Sequence, residues 1–202
     1  MTAGGQRIDQ RRTHQAAAEH HDSEGPTTAL PLRALRSGSL ASVLSTLVVS
    51  MFSRSRSGTA AAGTNATSQW FWYPRARHTA RPSPKYTLAG YAVHHASSLF
   101  WAIGYEALRP DRSPPAGRII RAAGVAAVAY VVDYHVVPRR LSPGFEHRIG
   151  PAGIGCAYAA FALGLYIATS LASRRRSKAL TAPPARKSRR VRTAPEVRSP
   201  DR

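Results

Sequence analysis

The sequence predicts an all-α integral membrane protein, a four-helix bundle with a disordered tail at each end. Three observations predict it. Four long apolar stretches, with few or no charges, fall within residues 35–173. Each approaches the length that crosses a hydrocarbon core of roughly 30 Å at about 1.5 Å per residue. Clusters of Arg and Pro separate them, and residues 1–34 and 174–202 are polar throughout. The mean hydropathy of -0.28 is therefore an average over an apolar middle and two hydrophilic ends.

Charge is as uneven as hydropathy. The chain carries 29 Lys and Arg against 10 Asp and Glu, a net charge of +19. Eleven of those basic residues lie in 174–202, whereas residues 1–34 balance four Arg against four acids. A pI near 11.5 fits nucleic acid, an anionic membrane surface, or the cytoplasmic loops of a membrane protein. Cys156 is the single cysteine, which excludes an internal disulfide and a thiolate metal cluster. It reads as a small packing residue of the last span.

Residues 1–34 show no sustained apolar period and no signal-peptide layout, so they read as a disordered tail. The first helix is expected near 37–53, seventeen uncharged residues bracketed by Arg33 and Arg36 before and Arg54 and Arg56 after. Six Ser and one Thr lie in it, whose hydroxyls bond back to the helix or across to a neighbour. Residues 57–85 are too polar and Gly-rich for a span. They read as a loop on the membrane surface, lying flat or partly re-entrant, with Trp70, Phe71, Trp72 and Tyr73 in the headgroup layer.

The second helix is expected near 86–108, where Tyr86 to Tyr105 carries no formal charge and His94 and His95 sit near the middle. A Pro-rich turn at 109–117 ends it. The third helix is expected near 119–137, with Asp133 and His135 close to its end, and the fourth near 149–173, twenty-five residues without a charge. On that last helix Gly153, Ala157, Ala160, Gly164 and Ala168 form a small-residue packing face, and Ile154, Tyr158, Phe161 and Leu165 a bulky one. Arg174, Arg175, Arg176 and Lys178 stop it, and 174–202 reads as a basic disordered tail. With both termini cytoplasmic, fourteen Lys and Arg flank the inner ends and nine the outer ones, in line with the positive-inside rule.

Ionisable groups inside a membrane are costly and point to function or to a named partner. His94 and His95 lie roughly 12–14 Å from the outer end of their helix, and Asp133 about 7 Å from the end of the next, so the two depths nearly match. A hydrogen bond from either imidazole to Asp133 is expected, and the short 109–118 connection makes the two helices neighbours. Glu106 falls near the inner interface, in reach of Arg109, Arg112 or Arg121. The candidate intramembrane polar cluster is thus His94, His95, Asp133, His135 and Glu106. Its preferred reading is a contact that fixes helix register, worth about 1 kcal/mol. The alternative is a proton or cation path, which suits imidazole because its ordinary pKa lies near working pH.

Catalysis has no signature here. There is no G-x-S-x-G, no HExxH and no Gly-rich phosphate loop, so no catalytic residue, metal or cofactor is assigned. The basic C-terminal tail contacts anionic lipid headgroups more readily than nucleic acid, since no aromatic residue interleaves it to stack on bases.

The runs NATSQWFWYP, YTLAGYAVHHASSLFWAIGYEAL and VVDYHVVPRRLSPGFEHR resemble a family of small, uncharacterised multi-pass bacterial inner-membrane proteins. The resemblance covers roughly 58–170 and implies architecture only. It places Asn65, Trp70, His94, His95, Glu106, Asp133, Pro143 and Glu146 in motif-like stretches. Three function classes follow. The preferred one is a structural or accessory protein of the bacterial inner membrane, packing against itself or a membrane partner. A proton- or cation-handling transporter-like protein and a membrane-tethered nucleic-acid-binding or regulatory factor are the alternatives.

Overall fold

The computed structural model describes residues 29–108 and 114–181, and readings that fall on 1–28, 109–113 and 182–202 lie outside the described residues. These include most of both tails, Arg109 and Arg112. The described chain is helical, with no strand. Helix α1 spans Ala29–Ser57, followed by three short helices, α2 at Ala61–Thr67, α3 at Gln69–Trp72 and α4 at Arg75–His78. A π-helical turn at Pro84–Leu88 leads into α5, Ala89–Ala107. Helix α6, Pro115–Val131, runs into a second π-helical turn at Val132–Val136, and α7 spans Glu146–Thr181.

Three of these helices are long and apolar enough to cross a membrane, over Leu30–Ser57, Pro115–Val136 and Glu146–Arg175. Only 22–33% of their most apolar windows is buried within the chain, so most of that apolar surface faces outward. That is the reverse of a soluble amphipathic helix, which hides its apolar stripe. Helix α5 does not join them, because His94, His95, Ser97, Ser98 and Glu106 dilute its apolar residues.

The ends of the elements differ from expectation for local reasons. Helix α1 is already helical at Ala29, inside the expected tail. Arg54 and Arg56 then occupy its last turn, where cations meet the negative end of the helix dipole. Helix α7 begins at Glu146, kinks at Gly150 (φ 68°) ahead of Pro151, and continues past Arg174 to Thr181. Residues 174–181, read as the start of the tail, are therefore helical.

Helix α1 lies at the centre, packed against α7 and α5, while α6 packs on α7 and touches α5 far less. This corrects the expectation that α5 and α6 are close neighbours. A Cβ on Gly164 would lie 2.4 Å from the Ala41 Cα, so α1 and α7 meet backbone to backbone there. The α7 interface nevertheless cuts across both expected faces. Gly153, Ala157 and Gly164 are buried together with Phe161 and Leu165, while Ala160 and Ala168 are half-buried. Alanines dominate the main core (Ala34, Ala41, Ala102, Ala122, Ala126), with Tyr105, Phe161 and Leu165 filling between them. Cys156 is exposed rather than packed.

The segment read as a surface loop is the largest correction. Residues 62–69 are buried without interruption, and α2 lies against α1 and α5. Its small residues permit this: a Cβ on Gly90 would fall 1.9 Å from the Thr64 carbonyl oxygen. Of the aromatic group, Phe71 and Tyr73 remain exposed at 58% and 47%. Trp70 and Trp72 are half-buried, Trp72 edge-on to Tyr86 with the Lys85 ammonium 4.9 Å above it.

Candidate functional site

Two polar constellations stand side by side at the end of the bundle where α1 gives way to α2 and α6 to α7. The first is built on two fully buried amides. Asn65 Nδ2 donates to the Thr79 and Arg81 carbonyls at 3.0 and 2.9 Å, and its Oδ1 accepts from the Thr87 hydroxyl at 2.6 Å. Gln69 Nε2 donates to the Ser142 and Arg139 carbonyls at 2.7 and 3.2 Å, and its Oε1 accepts from Arg77 Nε at 2.5 Å. Arg77 reaches on to Glu146 at 3.4 Å, and the Arg148 guanidinium donates to the Arg77 carbonyl. Trp70 Nε1 donates to the Leu141 carbonyl at 2.9 Å. Irregular backbone in 79–81 and 139–142 thus finds donors from α2 and α3, which offsets the cost of burying its carbonyls.

The second constellation is a cavity of about 60 Å³, walled by α1, α5, α6 and α7 and closed above by Trp70, Pro143 and Phe145. A space of that size admits a few water molecules. His94 enters from α5 and Asp133 from the turn that ends α6. Each is held by a hydroxyl from another helix. Ser45 Oγ, on α1, lies 2.8 Å from the Ala41 carbonyl to which it donates, and 2.9 Å from His94 Nε2. The imidazole also hydrogen-bonds to the Ser42 backbone, so α1 holds His94 through two residues. Tyr158, on α7, donates its hydroxyl to Asp133 Oδ2 at 2.6 Å. The other Asp133 oxygen takes no hydrogen bond from the described residues.

The expected hydrogen bond between Asp133 and a histidine is therefore absent, because α6 leans on α7 and brings Tyr158 to Asp133 first. The five residues of the expected cluster separate. His94 and Asp133 share the cavity. His95 turns away and stacks on Tyr91 with ring centroids 5.7 Å apart. His135 is exposed and stands edge-on to Tyr130 at 5.9 Å.

Glu106 lies at the opposite end of α5, buried to 3% exposure, with Arg33 Nε 3.9 Å from its carboxylate. One partner thus comes from the start of α1, a stretch read as tail. Near it the Tyr105 hydroxyl meets Thr169 Oγ1 at 2.8 Å, and the Arg121 guanidinium lies 5.1 Å over the Tyr105 ring.

Sequence reasoning missed Ser45, Tyr158 and Gln69. Ser45 is one of six serines in its stretch with nothing to single it out. Tyr158 carried a signal, as a hydroxyl-tipped ring in an uncharged helix of small residues, placed instead on a bulky packing face. Among the described residues, no three His, Cys, Asp or Glu side chains gather to hold a metal ion. No family model, curated protein or solved structure matches the chain.

Proposed function

We propose that this chain is a multi-pass inner-membrane protein that handles a proton or small cation at the cavity between His94 and Asp133. One observation carries the reading: the two groups face a common space, and one Asp133 oxygen takes no hydrogen bond from the described residues. A contact that only fixed helix register would join them directly. The structural or accessory role, preferred on sequence alone, has less support. Gly153, Ala157 and Gly164, the face proposed to meet a partner, are buried against other parts of this chain.

In this reading α5 is a fourth crossing, its polar residues accommodated because they face α1, α2 and the cavity. The bundle then has four spans, both termini cytoplasmic, in a bacterial inner membrane. The Lys and Arg of the C-terminal residues contact anionic lipid, each contributing about 1 kcal/mol near the surface.

The test is flux in proteoliposomes loaded with a pH-sensitive dye. Wild-type protein is expected to dissipate an imposed proton or cation gradient. Asp133→Asn and His94→Ala are each expected to slow this at least about tenfold while inserting and accumulating normally. A gradient untouched by wild-type protein, or flux equal in both variants, overturns the reading.

A further inference from the structure

The cavity is not sealed. Beside it a second space of about 640 Å³ opens between α5 and the turn that ends α6, where α5 and α6 touch only sparsely. Trp70, Val93, Ser97, Trp101, Asp133 and Leu141 line both spaces, so groove and cavity meet at these side chains. The groove's remaining walls are Ala89, Ala92, Ala96, Phe71, Phe100, Val132 and Val137, with Phe100 exposed to 66%. Its mouth lies on the flank of a helix bundle whose outer surface is apolar, so in a bilayer it opens to hydrocarbon rather than to water.

Charge selects the occupant. In a chain of net charge +19, no Lys or Arg lines either space among the described residues, and Asp133 is the one charged group of both. The aromatic side chains of Trp70, Trp101, Phe145, Tyr158 and Phe161 share its cavity. A carboxylate with an unused oxygen, set among aromatic rings out of water, is the arrangement that recognises an organic cation. Size narrows the class further. A cavity of about 60 Å³ takes a small ammonium head, and the attached apolar body has to lie in the groove.

We infer that the site takes an amphiphilic primary ammonium, which enters sideways from the membrane between α5 and α6. The head hydrogen-bonds to Asp133, and the apolar chain lies along Ala92, Ala96 and Phe100. This rests on the proposed cation-handling cavity and names the class of cation. A lone bilayer acyl chain would fill the groove equally well, but it has no use for Asp133.

Equilibrium binding to purified full-length protein in nanodiscs tests it, with tritiated dodecylammonium as the probe and empty nanodiscs as background. Saturable binding is expected, with dodecanol and dodecanoate competing at least about tenfold more weakly. Affinity should rise from butylammonium to dodecylammonium. Ala96→Phe should flatten that rise by filling the groove. Asp133→Asn, which keeps the Tyr158 hydrogen bond, should weaken dodecylammonium at least about tenfold. Competition by dodecanol equal to that by dodecylammonium overturns the inference on wild-type protein alone, whether or not any variant folds. Absent alkylammonium binding together with Asp133-dependent proton flux overturns this inference and leaves the proposed function standing. Absence of both removes both.

Discussion

The two polar constellations share walls at Trp70 and in the 139–145 link, yet they are built on opposite terms. Around Asn65 and Gln69 every amide hydrogen and both amide oxygens have protein partners, most of them carbonyls of irregular backbone. Asp133 has a single hydroxyl partner, and both it and His94 face open space. Saturation distinguishes the two roles. A buried polar group with all its bonds made holds the fold together, and its loss leaves several partners stranded. A buried polar group with bonds to give has been left ready for something that comes and goes.

The comparison breaks first at Gln69. Gln69→Leu keeps the volume but strands Arg77 Nε and the Ser142 carbonyl and leaves the Arg139 carbonyl with Ser142 Oγ alone, so stability should fall by about 3 kcal/mol or more. Equilibrium unfolding in mixed micelles measures it. A loss below about 1 kcal/mol would mean that the amide does not hold α3 to the 139–142 link. Gly90→Ala comes next. Its Cβ would meet the Thr64 carbonyl and push α2 off α5, at a cost of about 1–3 kcal/mol. The same unfolding assay reads it, and Gly104→Ala, with open space around its Cβ position, is the matched control.

How much of this could be read beforehand follows from which forces act locally. Three apolar stretches stood out in the sequence because length and lack of charge are properties of a single segment. Helix α5 was equally visible as a helix but not as one of the three most apolar, since its polar residues serve contacts made elsewhere. The buried character of 62–69 was hidden for a different reason. AAGTNATSQ has the composition of a loop, and only the approach of α1, with Gly90 opposite Thr64, turns its smallness into close packing. His94 and Asp133 were found because an ionisable group in an apolar stretch is conspicuous by itself. Their partners were not, because a serine among six and a tyrosine among aromatics acquire meaning only when a third helix is in place. Depth along the axis was estimated well enough to put both groups in one cavity. Rotation and helix order, which decide who touches whom, depend on packing of the whole bundle.

The smallest expected effect is also the one that bears hardest on the cavity. A double-mutant cycle between Asp133→Asn and Tyr158→Phe isolates the hydrogen bond that holds the carboxylate at 2.6 Å. If Asp133 is placed for a ligand, this bond only orients it, and the coupling should be about 0.6 kcal/mol, the typical value for a polar contact between membrane helices. Each single variant should then unfold within about 1 kcal/mol of wild type, in contrast to Gln69→Leu. A coupling above about 2 kcal/mol would show that Asp133 and Tyr158 clamp α6 to α7 as firmly as the amides fasten the neighbouring network. The two constellations would then be alike, and the unused oxygen of Asp133 would no longer argue for a guest.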